Sequence, residues 1–170
     1  MEQIGETAED IGRRVDDVSS AQINDVDIDN QVRMADNIVG EGGNTSRPTW
    51  RQSELDAAKD FPDYDAQKSF INGQEVPYGT KGSVRPDYYK NGYSVDVNNY
   101  NVESASGRSN LARNIEKQYY QRIQNLPEGT KEIVMIDIRG QSISDASMSA
   151  LYDDIMRRTN NGVEILFKMD

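Results

Sequence analysis

The chain of 170 residues contains no cysteine and no histidine. The first absence excludes disulfide stapling, thiolate zinc sites and cysteine nucleophiles, and the second removes every histidine-based triad or metal cluster. Any chemistry must therefore run on carboxylates, amides, hydroxyls, lysine or arginine. No apolar run approaches the roughly 20 residues that a membrane-spanning helix needs. The acidic amino terminus has neither the basic nor the apolar region of a signal peptide. The expectation is a soluble chain with no membrane span and no export signal of its own.

Basic residues are also scarce, 19 against 29 acids, for a net charge of -10. That sum argues against simple nucleic-acid affinity, but its distribution is uneven. Residues 1–46 hold 11 acids and 3 bases, and the remaining 124 residues hold 18 and 16. The near-neutral portion stays compatible with nucleic acid. In the front segment Ile4, Ala8, Ile11, Val15 and Val18 recur at helical steps, as do Ile28, Val32, Ala35 and Val39. Two thin amphipathic helices and a disordered acidic tail are both compatible with so little apolar surface. The glycine-rich stretch 40–46 reads as a linker, dividing the chain into a segment 1–46 and a domain 47–170.

Within the domain, a helix is expected over 52–59, capped by Thr49 or Ser53 and ended before Pro62. A strand near 67–71 follows, then a hairpin. Leu111, Ile115, Tyr119, Ile123 and Leu126 mark one face of a helix over 109–126, stopped by Pro127 and Gly129. The unbroken apolar run 133–138 reads as a central strand covered on both faces. Met148, Leu151 and Ile155 stripe a helix over 144–159, and 163–167 closes as a strand. The order α-β-β-β-α-β-α-β calls for an antiparallel meander followed by a parallel crossover. A three-layer α/β sandwich with a mixed central sheet satisfies it.

The hairpin carries the chemistry. Asn91-Gly92 suits a two-residue type I′ turn, which pairs Lys90 with Tyr93, Tyr89 with Ser94, Tyr88 with Val95 and Asp87 with Asp96. Alternation places Asp96 and Asn98 on one face with Asp87. Facing carboxylates are destabilising, so such a pair is expected to be protonated, separated by a basic group, or bridged by a divalent cation. An ordinary half-exposed hairpin with a polar outer face is the plainer alternative.

Several segments then carry a resemblance: Arg51-Gln52-Ser53-Glu54, the run from Tyr78 through Gly82-Ser83-Val84-Arg85-Pro86-Asp87, Val95-Asp96-Val97-Asn98-Asn99-Tyr100-Asn101, Asn125 to Gly129, and Ile136 to Gln141. Over residues 50 to 168 the chain resembles the carboxy-terminal toxin domains of bacterial polymorphic toxins, the tips of contact-dependent inhibition, Rhs-type and LXG-type effectors. That group is similar to the PD-(D/E)xK nuclease superfamily, so the resemblance implies a restriction-endonuclease-like fold. It also implies a Mg2+ or Mn2+ centre for phosphodiester hydrolysis, with Asp87 as first metal ligand, Asp96 in the Glu position and Asn98 in the Lys position. Glu54 is the candidate early-helix acid completing the metal set. Lys81, Arg85, Arg108, Arg113 and Gln141 are candidate substrate contacts, with ordinary surface roles as the alternative.

Asp96 is one methylene shorter than glutamate, and Asn98 carries no charge, so the centre is expected to be weakened, by about 10²- to 10⁴-fold for a lost positioning group. The implied function is a nuclease toxin domain, DNase before RNase, delivered as the tip of a larger effector into a target cell. It would be monomeric apart from a cognate immunity protein. A nuclease-fold binding module without catalysis and a structural domain of a surface protein are the competing readings.

Overall fold

A computed structural model describes residues 46–170. The two helices expected before residue 40 lie outside the described residues. The first described helix, α1 (Trp50–Asp60), is capped by Thr49, whose hydroxyl accepts the Gln52 N–H at 3.1 Å. It stops at Phe61, ahead of Pro62, with the Phe61 N–H still bonded to the Ala57 carbonyl. Ser53, the other candidate cap, is a buried residue inside the helix.

Three short strands follow: β1 (Asp65–Ala66), β2 (Ser69–Ile71) and β3 (Gln74–Val76). Only one strand is expected from the sequence here, beginning at Gln67, but Gln67 has a φ of 65° and breaks the extended backbone. The hairpin strands are β4 (Tyr88–Lys90) and β5 (Tyr93–Asn98), and α2 (Ala105–Asn125), β6 (Lys131–Asp137), α3 (Asp145–Arg158) and β7 (Val163–Lys168) complete the chain. The main sheet has the order β1-β4-β5-β6-β7, and β2 and β3 form a separate pair. β1, β4 and β5 run antiparallel in turn, whereas β5, β6 and β7 are parallel and joined by α2 and α3. The fold is therefore mixed α/β.

Alternation along the strands feeds two cores. Val134, Ile136 and Ile165 pack with Leu111 and Ile115 of α2 and Leu151 and Ile155 of α3. Val95, Val97, Ile133, Met135 and Leu166 face the other way onto Ala57 of α1 and Phe61. Three layers result, with β6 apolar on both faces as its run of apolar residues requires. Each fully buried Ile or Leu contributes about 1.5–3 kcal/mol, which makes these two cores the main stabilising term. The pair β2–β3 is held by Phe70 packing with Val84, Tyr89 and Leu126.

Two expectations are corrected. Among the two turn residues only Gly92 has positive φ, at 92°, so the turn is not type I′, which requires positive φ at both. The Gly92 carbonyl accepts the Lys131 N–H at 2.9 Å, fixing the turn to β6. The register is nonetheless Lys90–Tyr93, Tyr89–Ser94 and Tyr88–Val95, as the two-residue loop dictates. In α2 the apolar stripe also drifts. Leu111 and Ile115 are buried, but Ile123 is 51 % exposed, and the buried face continues through Gln118 and Arg122. Polar groups on β5 and β6 lie under that half of the helix, and an apolar residue there would leave buried acids without a partner.

Candidate functional site

The β4–β5 ladder stops at Tyr88–Val95, so Asp87 and Asp96 are not a ladder pair. Instead the Asp87 N–H turns onto the Val95 carbonyl at 3.0 Å, and the Asp87 carboxylate accepts the Val97 N–H at 2.9 Å. The side chain thus takes over a backbone donor at the point where Pro86, which has no N–H, would have to continue the strand. Asp87 and Asp96 still act on one another electrostatically, and both are buried, 3 % and 1 % exposed.

Arg122 answers the question of what separates the acids. Its Nε donates to Asp96 Oδ2 at 2.9 Å, and its Nη2 donates to Asp96 Oδ1, a two-pronged grip. Its Nε also lies 3.7 Å from Glu132 Oε2, and the Ser94 hydroxyl donates to Glu132 Oε1. Ser94 and Asp96 alternate on β5, Glu132 sits opposite Ser94 on β6, and Arg122 reaches down from α2. The result is one guanidinium among three buried carboxyls, with Arg122 and Glu132 at the floor of a surface cavity of about 450 Å³. Burial, then the charge of Asp96, pushes the Asp87 carboxyl well above the ordinary range, with Arg122 opposing. Glu132 is pushed up in the same way, by burial first and Asp96 second.

These residues do not fit a divalent ion. Both Asp96 oxygens are engaged by a fixed cation, and among the described residues no group of three or more His, Cys, Asp and Glu is arranged to hold a metal. Glu54 lies on α1, in the layer across the sheet from Arg122, where its backbone carbonyl accepts the Tyr88 hydroxyl at 2.8 Å. Asn98 shares the Asp96 face by alternation and is buried, and its Nδ2 has no hydrogen-bond partner among the described residues.

The candidate substrate contacts are dispersed. Lys81 is exposed in the loop before β4, and Arg85 stacks over the Tyr78 ring at 4.7 Å. Arg108 donates to the Val102 and Glu103 carbonyls at 2.8 and 3.1 Å, closing the loop that leads into its own helix. Gln141 clamps the same loop, donating to the Tyr100 carbonyl at 2.9 Å and accepting the Val102 N–H at 2.7 Å. Arg113 reaches Asn110, one turn back on the exposed side of α2. None of these five joins Arg122, Asp96 and Glu132.

A second polar cluster lies on the α1 side, beyond the carboxyl ends of β5 and β6. Ser53 donates to Asp137 at 2.7 Å and accepts from Asn99 at 2.9 Å. Arg139 folds back on Asp137 and reaches Asp56 at 2.9 Å. This network pins α1 to the sheet. Neither Arg122 nor Glu132 is singled out by sequence reasoning. The signal available was the spacing 111, 115, 118, 122, a helical face as regular as the apolar one, whose polar members match acids on the neighbouring strands. No family model, no curated protein and no solved structure matches the chain.

Proposed function

We propose that this domain is a nuclease-fold module of the polymorphic-toxin type whose phosphodiesterase centre is silent, so that it acts by binding a partner rather than by cleavage. The observation that carries this reading is the Arg122 grip on both oxygens of Asp96 inside a buried cluster. A guanidinium supplies the positive charge that two neighbouring acids require and leaves no open oxygen on Asp96 for a hydrated Mg2+ or Mn2+. The antiparallel run β1-β4-β5 continuing into two helix-connected parallel strands supports the restriction-endonuclease-like part of the reading. The shared face of Asp87 and Asp96 supports descent from a metal-binding pair. In this reading Asp96 and Asn98 mark the loss of the working acid and lysine. The partner is a cognate immunity protein or nucleic acid met in the target cell.

The test is cleavage of plasmid DNA and of tRNA with Mg2+ or Mn2+, comparing the unaltered chain with a rebuilt variant carrying Asp96→Glu, Asn98→Lys and Arg122→Gln, which removes the internal cation as well. The unaltered chain is expected to leave both substrates intact, and the rebuilt variant to cut one of them. Cleavage by the unaltered chain that disappears in Asp87→Asn would overturn the silent reading. If the rebuilt variant folds, binds no Mn2+ and cuts nothing, the likeness extends to architecture alone.

A further inference from the structure

At the end of the sheet where β4 turns into β5, three strands place one residue each at the same level. The register sets Lys90 opposite Tyr93 and Tyr93 opposite Lys131. Tyr64, in the bend just before β1, where its N–H bonds the Phe61 carbonyl at 3.2 Å, brings its ring beside Lys90. Residues directly opposite on neighbouring strands point to the same face, so Lys90, Tyr93 and Lys131 share one, and the Tyr64 ring beside Lys90 extends them into a row in which aromatic and cation alternate. With strands about 4.8 Å apart, the row spans about 14 Å. The Lys90 ammonium lies 5.7 Å from the Tyr64 ring and the Lys131 ammonium 5.9 Å from the Tyr93 ring.

Several observations mark this row as more than a strand end. Both lysines are exposed and make no ion pair among the described residues, although the chain as a whole is strongly acidic. Tyr93 is 37 % exposed, and Tyr64 is half-buried against Phe61, their centroids 4.8 Å apart, which holds one end of the row rigid. Asp63 and Asp65 flank Tyr64, and Asp65 is engaged by Lys68 at 3.6 Å, while Glu132 beside Lys131 turns inward to Ser94 and Arg122. Rigid rings that offer a face, interleaved with unpaired ammonium groups at strand spacing, provide stacking for bases and charge for the phosphates between them.

We propose that the row Tyr64, Lys90, Tyr93 and Lys131 is a binding surface for single-stranded nucleic acid, covering two to three nucleotides at about 14 Å. It shares no residue with the Arg122 cluster, and it stands whether or not that cluster descends from a nuclease centre. Lys90 and Lys131 contact successive phosphates, and Tyr93, the more open ring, carries the stacked base.

The test is fluorescence anisotropy of the full chain with labelled oligo-dT and oligo-U of about 12 nucleotides, beside a duplex of the same length. Tyr93→Ala is expected to weaken single-strand binding by about 5- to 150-fold, the range of one lost base stack. Lys90→Ala with Lys131→Ala is expected to reduce the slope of log affinity against log salt by about 1.4. All the changes are at the surface, and an unchanged urea midpoint confirms folding. A preference between the two probes assigns the source as DNA or RNA. No binding by the unaltered chain at low salt overturns the proposal. So does binding that the three substitutions leave intact, or equal binding of duplex with no loss in Tyr93→Ala. Poly-glutamate capture that depends on the lysines but not on Tyr93 would instead assign the row to an acidic protein partner.

Discussion

The Arg122 guanidinium holds both carboxylate oxygens of Asp96 across 26 residues of sequence, in a site where the arginine is 0 % and the aspartate 1 % exposed. Of the three outcomes available to neighbouring buried acids, proton retention, an internal base or a bound metal ion, the fold uses the second for Asp96, while burial and the charge of Asp96 push the carboxyls of Asp87 and Glu132 up, toward the first. An internal cation is permanent, whereas a metal ion can leave. This difference gives the site its rigidity and accounts for its predicted indifference to metal.

Removing Arg122 strands Asp96 and Glu132 without their cation. Breaking a buried pair from one side costs about 3–5 kcal/mol, so Arg122→Gln is expected to lower the unfolding free energy by that amount in urea denaturation. Arg122→Lys keeps the charge but loses the two-pronged geometry and should fall between. A loss below about 1 kcal/mol, typical of a surface pair, would contradict the buried geometry.

Asp87 and Glu132 keep their protons in the folded protein to higher pH than in the unfolded chain, where a carboxyl titrates near pH 4. Between those limits the folded state binds more protons, so unfolding free energy falls as pH rises. Their contribution is complete below about pH 4 and is lost as pH climbs through the raised native values. Asp87→Asn is neutral at every pH and can still accept the Val97 N–H. Its urea midpoint should decline less steeply than that of the unaltered protein between mildly acidic and neutral pH. An unchanged slope would remove Asp87 as a titrating group.

Two glycines should respond differently to alanine. At Gly107, in the first turn of α2, a Cβ would sit 1.7 Å from the Asn101 carbonyl oxygen and 2.9 Å from its carbon. Backbone cannot yield as a side-chain tip can, and a loss of about 3 kcal/mol or more is expected. At Gly92 the added carbon meets nothing within 4 Å, and only the φ of 92° opposes it. A loss of about 1 kcal/mol is expected there. Equal losses at both positions in urea denaturation would contradict the close approach of 101 to 107.

Ser53 is wholly buried between Asp137 and Asn99. Ser53→Ala removes a donor from a buried carboxylate and an acceptor from a buried amide, and about 1–3 kcal/mol is expected. Because the bond ties α1 to the sheet, hydrogen exchange should speed up first in 50–60. Uniform acceleration across the domain would argue that α1 has no separate attachment there.

The sequence by itself determined the three helices, the two parallel strands β6 and β7 and the hairpin register, but not the short strands β1 and β3. Thr49 and Ser144 cap helices because a hydroxyl placed before the first turn satisfies its open N–H groups. Lys90 faces Tyr93 because two residues separate the strands. The unbroken apolar run into β6 made it central, since only a strand covered on both faces can bury alternate residues in opposite directions. These are local rules of period and turn length. The tertiary structure alone decided what each buried polar group would meet. Arg122 faces Asp96 because α2 crosses back over β5, and Lys90, Tyr93 and Lys131 align because three strands meet at one level, with the Tyr64 bend beside them. Such encounters depend on helix rotation and strand order. In this domain they place a guanidinium where the spacing of acids along the hairpin suggests a metal ion, because charge compensation is satisfied by whichever cation the packing brings within reach.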